Sequence, residues 1–273
     1  MRALRTHWSS GVAALPLSSP LQRHRQLADL VLHLARRQLD SEHRFTLLGW
    51  LWPLIRQLAQ LAVLVFLFSK VLDLGIDDFP LFVFSALLVW SWFQAALTAA
   101  TSVLVRDAHL VFSPGFPNIA LPLVAVAVPL VDTLIALPVL VVMLAIDGSL
   151  HATALLLPFL LVAQLVLTSG LALVASSLNV YLRDMQNVVG VGLLLLFYLT
   201  PIFYGLKNVP ERFQWLIGLN PLTPIVNSVR AVTLDGQLPD GGDVFVMVVT
   251  AAAAVILGVW VFRRLEPDLV DEL

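Results

Sequence analysis

Cysteine is absent from this 273-residue chain, which excludes disulfides and thiolate-held metals and points to no compartment. Charge is scarce too, with Asp, Glu, Lys and Arg making up 12% of residues against 59% hydrophobic ones. At a mean hydropathy of +0.90, that much apolar surface cannot be hidden in one water-soluble core, so a membrane is the solvent the composition requires. No basic face is concentrated enough to neutralise several phosphates, and the net charge is −2, so nucleic acid is not a partner. The Walker pattern GxxxxGK[ST] is missing, so ATP is not bound here through a P-loop. The six histidines (His7, His24, His33, His43, His109 and His151) are scattered and lack metal-ligand spacing, and no metal or catalytic residue is assigned. A membrane-embedded transferase would need paired carboxylates or a metal cluster near an interface, and neither is visible. No internal repeat is found, which weighs against folds built from inverted transporter repeats.

What is present is a series of long apolar runs. Residues 152–177 offer 26 positions without a charge and 188–204 offer 17, against about 20 needed to cross a bilayer. Six spans are predicted near 54–74, 81–104, 119–146, 152–177, 188–204 and 244–262. The fold class expected is an all-α integral membrane protein. Asn179, Arg183 and Asp184 mark a tight turn between the fourth and fifth spans, where the chain meets water.

Residues 1–26 carry four arginines plus Pro16 and Pro20 and lack the long apolar centre of a signal peptide, so a mobile cytoplasmic tail is expected. In 27–44, Leu27, Leu30, Val31 and Leu34 recur at helical spacing, with Asp29, His33, Arg36, Arg37 and Asp40 mostly on other faces. This predicts an amphipathic helix along the cytoplasmic membrane surface, with packing on a partner as the alternative. Residues 45–273 then form a single transmembrane domain. With the N-terminus inside, 12 of the 16 Lys and Arg residues are cytoplasmic, leaving Lys70, Lys207, Arg212 and Arg230 outside. That bias obeys the positive-inside rule and returns both termini to the cytoplasm.

The connection 205–243 is 39 residues long and too apolar for a solvated linker. Pro210 and Pro224 each suit the first turn of a helix, and Asn220-Pro221 separates the two. Phe213, Trp215, Leu216 and Ile217, then Ile225, Val226, Val229 and Val232, supply apolar faces. Both helices are expected to re-enter the outer leaflet, where protein or water must surround their ends.

Asp132 is a carboxylate near the middle of the third span, with no Lys or Arg expected at its depth. It is read as a hydrogen-bonded interior group with Gln164 as partner, or as a proton carrier. Trp50, Trp52, Trp90, Trp92 and Phe93 cluster near ends of the first two spans, and Phe197, Tyr198, Phe203 and Tyr204 line the outer half of the fifth. They form interfacial belts, or a surface on which sugar C–H faces slide.

Four stretches carry a family resemblance that covers nearly the whole chain from Ala28. They are His43-Arg44-Phe45 with Leu48-Gly49-Trp50-Leu51-Trp52-Pro53; Asp107-Ala108-His109-Leu110-Val111 with Phe116-Pro117 and Pro122; Leu178-Asn179-Val180 with Arg183-Asp184; and Pro201-Ile202-Phe203-Tyr204 through Val209-Pro210-Glu211 to Leu219-Asn220-Pro221-Leu222. In this order, on a six-span profile, the chain resembles the membrane subunit of ABC-2 type polysaccharide exporters, which move lipid-linked O-antigen, capsule, teichoic acid or galactan. The resemblance implies a permease in a bacterial cytoplasmic membrane, without enzymatic activity of its own. It would work as a homodimer with two separate nucleotide-binding subunits that hold ATP and Mg. The lipid-linked polysaccharide would pass between the first and fifth spans at the dimer seam. The resemblance further implies that 27–44 is an interface helix, that Arg106, Asp107, His109, Leu110, Val111 and Phe112 form a coupling helix docking on the ATPase, and that Pro210, Phe213, Trp215, Asn220 and Pro221 belong to an outer gate. Phe112, Ser113, Asn118 and Ile119 stand where relatives often carry charged residues. The reading from another class is a proton-coupled small-solute carrier using Asp132.

Tags at either terminus are expected to be cytoplasmic. In a chain with no other thiol, Asp240→Cys should react with a membrane-impermeant reagent added from outside. Labelling of that site from the cytoplasmic face would overturn the six-span topology.

Overall fold

The computed structural model describes residues 20–43, 49–71, 75–76, 78–206 and 209–273. Within them the chain is helical, in the order α1 (Pro20–His43), α2 (Trp52–Val65), α3 (Phe79–Arg106), α4 (Ala108–Val111), α5 (Ala120–Asp147), α6 (Leu157–Tyr181), α7 (Met185–Leu199), α8 (Glu211–Gly218), α9 (Thr223–Thr233), α10 (Gly241–Leu265) and α11 (Leu269–Glu272). A π-helical turn, Phe66–Val71, extends α2, and a 3-10 turn, Ala152–Leu156, leads into α6. Helix α1 starts at Pro20, so residues 20–26, expected in the tail, are helical; residues 1–19 and 44–48 lie outside the described part.

Among the described residues, five helices are long and apolar enough to cross a membrane: Trp52–Ser69, Phe79–Arg106, Ala120–Asp147, Ala152–Tyr181 and Gly241–Asp268. The expected fifth span departs from its predicted 188–204. Helix α7 begins at Met185 and stops at Leu199, and its 15 residues reach about 22 Å, short of the roughly 30 Å of a bilayer's hydrocarbon. Pro201 is the reason. It has no amide to continue the ladder and pushes Thr200 out of helical conformation, to φ −80°, ψ 132°. Asn179, expected in a turn, lies inside α6, which extends to Tyr181 before Leu182 takes extended geometry.

Helix α3 is the centre of the bundle. From Val83 to Phe93 every residue except Ser91 is buried, so no side is left for lipid. It is enclosed by α2, α5, α6, α7 and α9. Helix α1 lays Ala35 and Leu39 against Val124 and Val128 of α5, with Val31 and Leu34 beside them. Part of its apolar stripe is therefore covered by α5 of its own chain.

The α6–α10 pair approaches backbone to backbone. A Cβ on Gly170 would lie 2.3 Å from the carbonyl carbon of Ala254, and one on Gly258 would lie 2.3 Å from the Gly170 carbonyl oxygen. Such small-residue seams let spanning helices gain dispersion contacts that lipid does not penalise. Gly170→Val and Gly258→Val should each cost about 1–3 kcal/mol, as overpacking does. Gly218→Ala, which meets nothing within 4 Å, should be neutral. Thermal unfolding in detergent checks this; wild-type stability in both valine variants would rule out the close seam.

Candidate functional site

Three places gather the polar and aromatic residues. The first is the connection after α3. The expected helix over 107–112 is a single turn, Ala108–Val111, and Asp107 makes no side-chain cap. Asp107 instead pairs with Arg106, at 2.9 Å from its Nη2. Leu110, Val111 and Phe112 do not share an outward face, because consecutive helical residues point about 100° apart. Val111 is buried, Leu110 is half-buried against the core, and Phe112 is 49% exposed beside the exposed His109. A groove of about 380 Å³ runs between this turn, α1 and the start of α5, with Arg37, Arg106 and His109 among its walls.

The second place is a cavity among α2, α3 and α5. It holds about 620 Å³ and is lined by Arg56, Gln57, Gln60, Gln94, Thr98 and Asp132, among others. Through Arg56, Pro129 and Asp132 it continues into a second space of about 350 Å³, beside Gln38, Trp52 and Arg106. One expectation is corrected here. Gln164 does not meet Asp132; it is fully buried, and its amide donates to the Val89 carbonyl of α3 at 2.7 Å. Arg56 lines the same cavity as Asp132. The correction concerns which way side chains turn around their helix axes, a matter of rotation and not of depth. Pro129 lacks the amide that would bond the Ala125 carbonyl, and both residues line the outer part of this space.

The third place is an aromatic and cationic cluster that runs from the middle of α3 toward its Phe79 end. Trp90, Trp92 and Phe93 sit at the middle of α3 and are 1% exposed, so they form interior core and no interfacial belt. The Trp92 indole donates to the Val126 carbonyl at 3.1 Å and Trp90 to the Gln94 amide oxygen at 2.8 Å. Phe197 packs edge-on against Trp90 and lies near Phe203, which stacks on Phe68 at 4.7 Å between centroids. Tyr198 is exposed, and Tyr204 donates to its carbonyl at 3.0 Å. Trp52 stands at the cavity mouth, 54% exposed; the side chain of Trp50 lies outside the described part.

Arg230 was counted among the outer charges, but it is buried. Its guanidinium donates to the Ile202 carbonyl at 2.8 Å and to the Phe82 carbonyl at 3.2 Å, and covers the Phe82 ring at 3.4 Å. Burial pushes its pKa down to about 9, with Asp235 working the other way, so it stays charged at neutral pH. The readable signal was a lone cation one residue from Val229 and four from Val226 in a helix with an apolar face. Asn220, at the corner between α8 and α9, donates to Thr200 Oγ1 at 2.7 Å and accepts from the Leu222 amide at 3.0 Å. The end of α7 is thus tied to both α8 and α9. Helix α9 is almost wholly buried, whereas α8 exposes Phe213, Trp215 and Leu216. Pro210, at φ −55°, precedes α8 as its N-cap.

Among the described residues no group of three His, Asp or Glu side chains could hold a metal ion. The chain is 27% identical to an O-antigen export system permease protein of Klebsiella pneumoniae over 88% of its length and 93% of that protein. It is 29% identical to the O-antigen export system permease protein of Myxococcus xanthus, over 85% of this chain and 89% of the relative. To the polysialic acid transport protein of Escherichia coli it is 22% identical, over 82% and 88%. The profile of the ABC-2 type transporter family matches residues 29–234, a stretch that begins within α1, takes in every helix through α9 and contains all three places described above. This multi-pass, helical membrane protein belongs to the ABC-2 type transporter family.

Proposed function

We propose that the chain is the membrane subunit of an ATP-driven exporter that carries a lipid-linked polysaccharide across a bacterial cytoplasmic membrane. The observation that carries this reading is similarity to O-antigen export permeases over nearly the full length of both chains, in a protein with no P-loop of its own. A separate pair of nucleotide-binding subunits supplies ATP and Mg. The Lys and Arg bias supports cytoplasmic termini, with α7 and the corner after it completing a sixth crossing.

The polymer path is assigned to the seam of a homodimer. Helices α2 and α7, the first and fifth spans, are the least enclosed: α2 buries Gln57 and Leu61, and α7 buries Leu193. Val63, Phe66, Val191, Leu194 and Leu195 are left outward, as a second copy requires. Helices α8 and α9 form the outer gate, re-entering the leaflet with α9 inside protein and the aromatic face of α8 toward lipid or the second copy. The turn after α3, with the groove beside α1, is the docking place for the ATPase. Phe112 is the apolar anchor there, Val111 being used internally.

Removal of one interface anchor costs about 1–3 kcal/mol. Phe112→Ser should therefore release the ATPase or uncouple its hydrolysis from export, with membrane insertion unchanged. Co-purification and ATP hydrolysis, measured beside polymer export, test this. Wild-type values for all three would remove the coupling role from this turn.

A further inference from the structure

The cavity among α2, α3 and α5 is assigned no role by the seam pathway. We propose that it binds a single uncharged sugar unit of the transported glycan. This rests on the polysaccharide-export reading above.

Its size and depth suit such a ligand. About 620 Å³ opens between three helices, within the roughly 300–1,000 Å³ of small-molecule sites. Asp132 lies about 18 Å along α5 from its start at Ala120, by the helical rise per residue, so the cavity reaches toward mid-membrane. Ala95 and Ala99 on α3 leave the space that larger side chains would fill.

The wall chemistry selects among ligands. Polar side chains are costly in spanning helices unless they pair or face a ligand or water, yet Gln57, Gln60, Gln94 and Thr98 gather here with Arg56 and Asp132. Gln57 is 7% exposed and its amide nitrogen has no hydrogen-bond partner. An amide at the wall with nothing to bond is what a site built for an absent ligand contains. Amides and hydroxyls both donate and accept, as sugar hydroxyls do, while a guanidinium and a carboxylate extend each capacity. One cation and one anion leave the wall near neutrality, and the carboxylate repels a diphosphate. An acyl tail would offer nothing to the Gln57 amide nitrogen. Trp52 at the mouth offers an exposed indole to the apolar face of a sugar ring.

The cavity's outer part includes Arg106, which is ion-paired to Asp107 ahead of α4. A bound sugar would thus lie beside the segment proposed to meet the ATPase.

The test uses the full chain in lipid nanodiscs, with saturation-transfer NMR as readout. The probes are methyl glycosides of hexoses, 6-deoxyhexoses and N-acetylhexosamines, with inorganic diphosphate as the rival. At least one glycoside should receive magnetisation. Gln57→Leu and Gln60→Leu should each weaken it about tenfold, the loss of one hydrogen bond. Gln57→Leu should not lower the melting temperature, because leucine replaces an amide that has no partner. Absence of transfer to every glycoside overturns the site, as does transfer unchanged in both variants. Diphosphate binding that the variants abolish, with glycosides inert, assigns the cavity to a headgroup and also overturns it. Polymer export by the wild-type permease with its ATPase is measured alongside: intact export without glycoside binding sinks the site alone, whereas failure of wild-type export sinks the transport reading.

Discussion

A bilayer core offers no hydrogen-bond partner to a peptide group, and the rest of this structure follows from that constraint. Helices satisfy their own backbones, so the difficult places are where a helix stops. The sharpest is the end of α7, where Pro201 breaks the ladder after 15 residues. The carbonyl of Ile202 is met there by the guanidinium of Arg230, and Thr200 by the amide of Asn220. A buried cation is otherwise expensive. Here its fork serves carbonyls of α3 and of the α7–α8 connection at once, and a ring faces its charge.

The same solvent removes the hydrophobic drive that joins helices in water, leaving shape and polar contacts to decide neighbours. Helix α3 is closed on all sides between Val83 and Trp90, and Gln164 fastens α6 to it through the Val89 carbonyl. Glycines let α6 and α10 touch at the backbone. These contacts join α3, α6 and α10 into one block. Helices α2 and α7 are held by fewer buried side chains, the arrangement a transport cycle needs if first and fifth spans move against a fixed frame.

Two of the three polar and aromatic places lie toward the Arg106 end of α3, and they share residues. Gln38 and Arg106 border both the groove beside α4 and the outer part of the cavity. On the export reading, a force applied at the turn is felt at the cavity wall through the last turn of α3. The aromatic cluster at the far end joins α2, α3 and α7 through Phe68, Phe203, Phe197 and Trp90, so a displacement of α7 must slide or break ring contacts there.

Apolar run length and proline placement are local properties, and the sequence by itself determined what depends on them: the membrane class, four of the spans to within a few residues, and two outer helices opening near Pro210 and Pro224. The stretch 106–112 could be located, but not divided into inward Val111 and outward Phe112, because that depends on how the turn sits on the bundle. Hydropathy reports depth and is silent about rotation. Asp132 and Gln164 share a depth, yet the tertiary structure turned one to a cavity with Arg56 and the other to the backbone of α3. For the same reason Trp90 and Trp92, read as belt residues, became core, and Arg230, counted among the charges outside, became the buried clasp that joins α9 to α3 and to the end of α7. Side-chain direction around a helix axis is set by the neighbours that enclose it, and those neighbours come from distant parts of the chain.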